Sequence, residues 1–196
     1  MLLNTHVKNV HLIKVNHIKM PCSCSKKTPV GQDMHADQLQ WGPILWKYLH
    51  SLAENLGFSN NVIVDTDQAN YMETILSTLH LIIPCQECQG HTLNYVSLHP
   101  IPVMKGLRGD NLRTVIRDWL FHFHNSVRAM KGQPIIFNTP EECSIYKTNV
   151  ISKSEYAIFI QSVGFASRQG WVRVDNWRKW YSNSERLRII AGNIVV

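Results

Sequence analysis

Residues 84–95 read Pro84-Cys85-Gln86-Glu87-Cys88-Gln89-Gly90-His91-Thr92-Leu93-Asn94-Tyr95, with a cysteine pair directly behind a proline. If a helix begins near Cys85, the two sulfurs lie on one helical turn, where they can close a short disulfide or face a single acceptor. A helix N-terminus also favours a thiolate and so lowers the pKa of a thiol. His91 and Tyr95 follow Cys88 at i+3 and i+7, so one helix face carries a sulfur, an imidazole and a phenol. The arrangement is compatible with redox chemistry, with a zinc site and with coincidence.

The composition indicates one globular domain, with terminal extensions still possible. Of the 196 residues, 44% are hydrophobic and 17% are charged, which suits a soluble protein with a sizeable core rather than a disordered chain. The formal charge of +6 permits contact with nucleic acid or a membrane surface but does not require it. Five cysteines are too few for a disulfide-based mini-protein. No apolar run approaches the roughly 20 residues of a membrane span, so no membrane partner is expected.

The first twenty residues favour a cytoplasmic protein. Lysines and histidines interrupt every apolar run there, so a secretory signal does not fit. The region resembles a mitochondrial presequence in having no acid before Asp33, but it also has no arginine. We therefore expect a cytoplasmic location, with the mitochondrial intermembrane space less favoured. In the cytoplasm a CxxC pair is more often catalytic or metal-binding than structural.

Residues 1–38 are predicted to form a flexible basic arm. Five lysines, two prolines and a glycine lie within it. The arm also contains Cys22-Ser23-Cys24, and a CxC pair on a flexible tether could carry electrons by disulfide exchange. The alternative is a pair of exposed thiols with no role.

Apolar residues at helical spacing predict four amphipathic helices after the arm, at about residues 38–56, 67–83, 85–98 and 111–130. Gly57 is a natural C-cap for the first helix, Asp67 is the predicted N-cap of the second, and Asp110 or Asn111 that of the fourth. The sequence shows neither an alternating strand pattern nor an internal repeat. We therefore predict an all-α fold, a four-helix bundle over residues 39–138 with an extra short helix.

Residues 139–196 are predicted to form a basic, tryptophan-rich C-terminal extension. The segment Thr139-Pro140-Glu141-Glu142 is typical of a helix start, and residues 153–163 could add a further helix. Trp171, Trp177 and Trp180 lie among arginines and lysines, a pattern that can stack on and neutralise nucleic acid. A packed appendage, a partner surface or a solvated face is the more common explanation, so nucleic acid is not the expected partner.

Three helix faces carry the candidate site residues. They are Trp46 and His50 on the first helix, Cys88, His91 and Tyr95 on the third, and His122, Asn125 and Arg128 on the fourth. In a bundle these faces can converge on one end of the core. Aromatic and imidazole groups suit a large planar heterocycle, while amide and guanidinium groups suit its polar edges or phosphates. A planar cofactor that accepts two electrons from a dithiol would be a flavin.

Three blocks occur in a distinctive order and spacing. They are Trp41-Gly42-(three residues)-Trp46-(three)-His50-(two)-Ala53, then Pro84-Cys85-x-x-Cys88-x-x-His91, then Trp119-Leu120-x-His122-x-His124-Asn125-x-Val127. Together they resemble the Erv/ALR family of FAD-linked sulfhydryl oxidases, in particular its viral and minimal single-CxxC members. The CxxC pair alone would be weak evidence. The resemblance is strong because all three blocks fit, over residues 39–137.

The resemblance implies a helical bundle that binds FAD and is usually a homodimer. Cys85 would be the sulfur attacked by incoming thiols, and Cys88 would lie against the isoalloxazine. Electrons from protein thiols, or from a thioredoxin-like carrier, would pass through FAD to O2 and give hydrogen peroxide. A viral member would act in the host cytoplasm or the virion. The motif positions associated with the flavin site are Trp46, His50, His91, Tyr95, His122, His124 and Asn125.

Three positions depart from the family pattern. Arg128 stands where the family usually has an asparagine, and it could still bind a phosphate. Gln133 stands where the family usually has a lysine. Phe121 occupies the position of one cysteine of a second structural disulfide found in many relatives. The resemblance therefore implies that this bridge is absent and that Cys143 is an unpaired thiol.

Other functions are possible for the cysteine pair. Cys85, Cys88 and His91 could bind Zn²⁺ with a distant ligand such as His99, but ligands on one regular helix do not form the usual zinc knuckle. A thioredoxin-like oxidoreductase shares the CxxC pair, but its βαβ pattern is not visible here. A helical interaction domain with an inert CxxC is the remaining alternative.

Overall fold

The computed structural model describes residues 37–59, 61–192 and 195. Across these residues the backbone is helical, and its one β-type contact is an isolated bridge between Ile151 and Val195. The elements are α1 (Gln38–Glu54), α2 (Val62–Ser77), a 3-10 segment (Leu79–Leu81), α3 (Gln86–Leu98), α4 (Gly109–Met130), a second 3-10 segment (Pro140–Lys147), α5 (Lys153–Arg168) and α6 (Val174–Ile190). The all-α prediction is confirmed. The CxC pair Cys22 and Cys24 lies outside the described residues.

Helix α1 is the centre of the bundle. Its apolar positions Leu45, Leu49 and Leu52 are almost fully buried, as their spacing of three and four residues requires. It packs against α4, α5 and the 3-10 segment Pro140–Lys147. The Asp37 carboxylate caps its first turn by accepting a hydrogen bond from the Leu39 N–H at 2.9 Å. Because α1 has these neighbours, its C-terminal half is buried throughout, from Tyr48 to Glu54.

Two of the predicted helix starts are wrong. Helix α2 begins five residues before Asp67, because the Asn61 side chain caps it by accepting from the Ile63 N–H at 2.9 Å. Helix α4 begins at Gly109 without a side-chain cap. Asp110, one of its predicted caps, lies inside the first turn and pairs with Arg113. Polar residues inside a helix and at its cap look alike in sequence, since both are compatible with an N-terminal turn.

The C-terminal helices share the hydrophobic core with the rest of the bundle. Trp180 is fully buried, and its indole N–H donates to the Ile75 carbonyl oxygen at 3.1 Å. The Tyr48 hydroxyl donates to the Ser184 carbonyl oxygen at 3.3 Å, which ties α1 to α6. Phe159 of α5 belongs to the same core. Residues 153–190 thus contribute to the core, and the buried face of Trp180 cannot stack on a base.

An ion pair and a close contact between two glycines hold the end of α1 against α4. Glu54 at the end of α1 is buried, and its carboxylate accepts two hydrogen bonds from Arg117, one of them at 2.6 Å. Gly57 has a φ of +72°, and a Cβ there would collide with the backbone of Gly109.

The described part of the chain contains no helix that is both long enough and apolar enough to span a bilayer.

Candidate active site

Cys85 and Cys88 form a disulfide at the start of α3. Cys85 is the N-cap of the helix, with extended backbone angles, and its Sγ accepts a hydrogen bond from the Cys88 N–H at 3.2 Å. Pro84 is buried directly before it and ends the preceding turn. The sulfur of Cys85 therefore occupies the positive end of the α3 dipole, as the sequence predicted.

A narrow cleft with a volume of about 50 Å³ lies beside the disulfide. Cys88 lines it, together with Trp46 and His91, whereas Cys85 does not. Most of the other lining groups are apolar; they include Leu45, Leu49, Leu79, Ile83, Phe123 and Val127. This volume is well below the range of about 300–1,000 Å³ of a typical cofactor pocket, so a bound flavin would extend beyond the cleft. The two cysteines are thus inequivalent, because the cleft reaches only one of them.

Gln38 connects the first turn of α1 to the redox pair. Its Nε2 atom donates a hydrogen bond to the Cys88 Sγ at 3.1 Å, and its side chain also lines the cleft. Gln38 was not among the predicted site residues, because a glutamine near a helix start carries no signal for a contact fifty residues away.

A stack of aromatic and imidazole rings lies deeper in the bundle. The Trp46 indole and the His124 imidazole are stacked, with centroids 4.1 Å apart and an angle of 7° between the rings. The His50 Nε2 lies 3.2 Å from the His124 Nδ1, within hydrogen-bond distance. On its other side the His50 ring stacks on Tyr146 at 4.9 Å. The Nδ1 atom of His50 is buried without a hydrogen-bond partner.

Burial keeps both histidines uncharged at neutral pH. It lowers the pKa of His50 to about 4. Burial also lowers the pKa of His124 to about 3, with smaller contributions from His50 and from the cations Arg128 and Lys131. A neutral imidazole carries one donor and one acceptor, so one ring of the pair donates to the other. The site therefore presents neutral planar rings next to a mostly apolar cleft.

Of the site residues predicted on the fourth helix, only His124 lies in the ring stack. His124 joins Trp46 and His50, whereas the side chain of His122 is exposed and contacts the Phe121 ring. Asn125 donates to the Phe137 carbonyl oxygen at 3.3 Å, and Arg128 donates to the Pro134 carbonyl oxygen at 2.6 Å. In the structure these two side chains hold the segment after α4.

Tyr95 lies in the core and does not line the cleft. Its ring packs against Phe123 at 4.6 Å and against Trp119 at 5.7 Å, and burial raises the pKa of its hydroxyl. Tyr146, by contrast, reaches the histidine pair, although it was not among the predicted site residues. It belongs to a 3-10 segment, so helical periodicity could not assign it to a face.

Cys143 is a free and fully buried thiol, which confirms the prediction that it is unpaired. It packs with Phe121 and Phe137 in a small second core that Tyr146 borders. Burial raises the pKa of Cys143 to about 12, helped by the nearby Glu54 carboxylate. Many members of the resembled family have a second disulfide that involves the position of Phe121. In this chain apolar packing connects α4 to the 3-10 segment there instead.

The zinc alternative finds no support in the part of the chain that the structure describes. No group of three or more histidine, cysteine, aspartate or glutamate side chains is arranged there to hold a metal ion. Cys85 and Cys88 are joined to each other. His99, the suggested distant ligand, packs against Tyr95 instead.

Comparison with known proteins identifies relatives of this chain. The model of the Erv1 / Alr family matches residues 43–149. A protein of Invertebrate iridescent virus 3 that carries the name "Putative FAD-linked sulfhydryl oxidase 096R" is 27% identical over 101 residues. This match covers 52% of the present chain and 62% of the viral protein. No solved structure matches. The family match includes the helix-start disulfide, most of the residues that line the cleft and the histidine pair, and we conclude that this chain belongs to the Erv1/Alr family.

Proposed function

We propose that this chain is an FAD-linked sulfhydryl oxidase, which converts pairs of thiols to disulfides and reduces O2 to hydrogen peroxide. One observation carries the proposal. The disulfide Cys85–Cys88 lies at a helix start with Cys88 alone facing a mostly apolar cleft. Family membership and the name of the viral relative support the same activity.

The residues around the cleft fit a flavin. The cleft is mostly apolar, as suits a planar ring system, and Trp46 and His91 line it. The partnerless Nδ1 of His50 is an unused polar atom in the adjoining ring cluster. Because neutral histidines carry no charge, they do not oppose the burial of an uncharged heterocycle. Lys131 also lines the cleft and could hold a phosphate of FAD.

The chain's own cysteines perform the first half of the reaction by thiol–disulfide exchange. A substrate thiolate attacks the Cys85 Sγ, which breaks the Cys85–Cys88 bond and leaves Cys88 as a thiolate. A second substrate thiolate attacks the substrate sulfur of this mixed disulfide and releases Cys85. The substrate has then lost two electrons as its disulfide, and the chain holds them as the Cys85–Cys88 dithiol.

The position of each cysteine supports the role that we propose for it. Cys85 is the entry sulfur in this scheme because it caps the helix outside the cleft, where a thiol can reach it without entering the cofactor site. Cys88 is the sulfur that lines the cleft, and Gln38 donates to it. A bound FAD would supply a two-electron acceptor for the dithiol and a donor to O2.

Protein thiols or a thioredoxin-like carrier are the proposed electron donors, and a homodimer in the cytoplasm is the proposed form. The N-terminal segment with Cys22 and Cys24 is proposed as an electron shuttle. Among the motif positions, Trp46, His50, His91 and His124 are the proposed flavin residues with support from the cleft or the ring stack. Tyr95, His122, Asn125 and Arg128 rest on the sequence pattern.

Absorbance and oxygen chemistry test the proposal together. Purified protein should be yellow, with flavin absorbance in the blue, and should release hydrogen peroxide when a small dithiol is added. A colourless protein with stoichiometric zinc would contradict the proposal and favour the zinc-binding module instead.

A further inference from the structure

The side-chain amide of Gln89 joins the start of α3 to the turn between α5 and α6. Its Nε2 atom donates to the Ile83 carbonyl oxygen at 2.8 Å and to the Trp171 carbonyl oxygen at 2.9 Å. The amide group has two N–H donors, so each carbonyl takes one of them. Gln89 lies one helical turn beyond Cys85, whose carbonyl accepts from the Gln89 backbone N–H at 2.9 Å. One side chain thus connects the redox pair to the C-terminal region.

The carbonyl group of Ile83 also sets the position of Cys85. Its oxygen accepts from the Cys85 backbone N–H at 2.8 Å, in addition to the bond from Gln89. This short turn leaves Cys85 extended, with φ of −158° and ψ of 112°, so that its sulfur can accept from the Cys88 N–H. If the Ile83 carbonyl group moved, the Cys85 sulfur would move with it.

The turn that carries Trp171 is itself well fixed. The Trp171 N–H donates to the Ala166 carbonyl oxygen at 2.9 Å. Its indole ring meets the Phe165 ring edge-on at 5.8 Å and packs against the main core, as Cys85 and Cys88 also do. Gly170 adopts a φ of +74°, which lets the chain reverse after α5. The Trp171 carbonyl is therefore held in place and can anchor Gln89.

We propose that Gln89 is a positioning residue for Cys85 and that the α5–α6 turn at Trp171 completes its anchor. The C-terminal region, which the three sequence blocks do not include, is then part of the redox site. The inference rests on the proposed function, in which Cys85 receives the substrate thiol. A sulfur displaced from the N-cap loses the hydrogen bond from Cys88 and the favourable end of the helix dipole. Since both stabilise a thiolate, their loss makes the dithiol less favourable relative to the disulfide.

The equilibrium between the disulfide and the dithiol tests this proposal. Gln89→Met removes both donors and keeps the approximate size of the side chain. The full chain is equilibrated without O2 in buffers of reduced and oxidised glutathione. The thiols are then alkylated, and the peptide that contains residues 85 and 88 is analysed by mass spectrometry. Two molecules of reduced glutathione convert the disulfide to the dithiol and leave one molecule of oxidised glutathione.

We expect Gln89→Met to move the half-reduction point about threefold or more towards reducing buffers, the size of a typical lost hydrogen bond. Trp171→Ala should move it in the same direction, because the turn loses its packing against Phe165. Gln161→Met makes the same chemical change at an exposed position of α5 and should leave the half-reduction point unchanged.

A purely structural role for Gln89 would lower the thermal unfolding midpoint of Gln89→Met without changing its half-reduction point, and this result would overturn the proposal. If Gln89→Met does not fold, Gln89→Asn keeps the amide but shortens its reach by one methylene. It should show the same direction of change, and a half-reduction point equal to that of the parent would also overturn the proposal. The equilibrium requires neither FAD turnover nor O2. A parent protein that releases no peroxide would therefore contradict the proposed function and still leave this measurement decisive.

Discussion

The Nε2 atom of His50 lies 3.2 Å from the Nδ1 atom of His124, and both rings are buried. The two residues come from α1 and α4. Trp46 stacks on one ring and Tyr146 on the other, which leaves little room for water around the pair. The contact joins two of the three sequence blocks at the centre of the candidate site.

This histidine pair should make the stability of the protein depend on pH. The folded-state pKa values of about 4 for His50 and about 3 for His124 lie below the ordinary value of 6.5. The unfolded chain therefore binds more protons than the folded one below pH 6.5. The free energy of unfolding should fall as the pH drops from 6.5 towards 4, by up to about 1.4 kcal/mol per pH unit for each histidine.

Chemical denaturation at several pH values measures this slope. His50→Gln removes one titrating ring and should reduce the slope between pH 6.5 and 4. His122→Gln makes the same change at an exposed position of α4 and should leave it unchanged. An equal reduction in both variants would contradict a special role for the buried pair.

Cys88→Ser should abolish the oxidation of a small dithiol while the protein retains FAD, because the sulfur that lines the cleft is lost and the ring cluster is kept. Peroxide release and flavin absorbance measure the two properties. Cys143→Ala is the matched control, since this thiol is buried in the second core, and it should keep its turnover. Full turnover of Cys88→Ser would contradict the role assigned to this sulfur.

Trp46→Leu should weaken the retention of FAD. The substitution removes an aromatic wall of the cleft and the stack on His124. A lost stacking contact of about 0.5–1.5 kcal/mol corresponds to a dissociation constant raised by up to about tenfold. Fluorescence titration of the apoprotein with FAD measures this constant. Trp177→Leu removes an indole that does not line the cleft and should leave the constant unchanged, so equal losses would argue against the assigned site.

Breaking the ion pair between Glu54 and Arg117 should destabilise the protein strongly. Glu54 is 1% exposed, so Arg117→Met leaves its carboxylate buried without its main partner. Loss of one member of a buried pair costs about 3–5 kcal/mol. The double variant Glu54→Gln/Arg117→Met should recover part of the loss, because no buried charge remains. Urea denaturation of the parent, both single variants and the double variant measures the coupling, and strictly additive losses would contradict it.

The proposed shuttle in the N-terminal arm predicts a dependence on substrate size. Cys22→Ser/Cys24→Ser should lower the rate on a folded protein substrate, whose thiols reach Cys85 with difficulty, and keep the rate on a small dithiol. Oxygen consumption with each substrate measures both rates. Equal ratios of variant to parent on the two substrates would argue against a shuttle.

The sequence determined the helical fold and, closely, the bounds of α1 and α3. Apolar residues at spacings of three and four predict buried helix faces, and the faces of α1 and α4 are buried accordingly. The proline before Cys85 predicted the start of α3 correctly. Local signals failed for α2, because Asn61 and Asp67 can both cap a helix and only the packing of the first turn distinguishes them.

The order and spacing of the three sequence blocks also determined the family and the redox pair, since both depend on residue types at fixed distances along the chain. Only the tertiary structure decided which side chains meet. It brought His124 rather than His122 to His50, because rotation about the axis of α4 sets which residue faces α1. It also brought Tyr146 to the histidine pair and Trp171 to Gln89 from regions with no sequence motif. Such contacts depend on how distant segments pack, and helical periodicity carries no information about that packing.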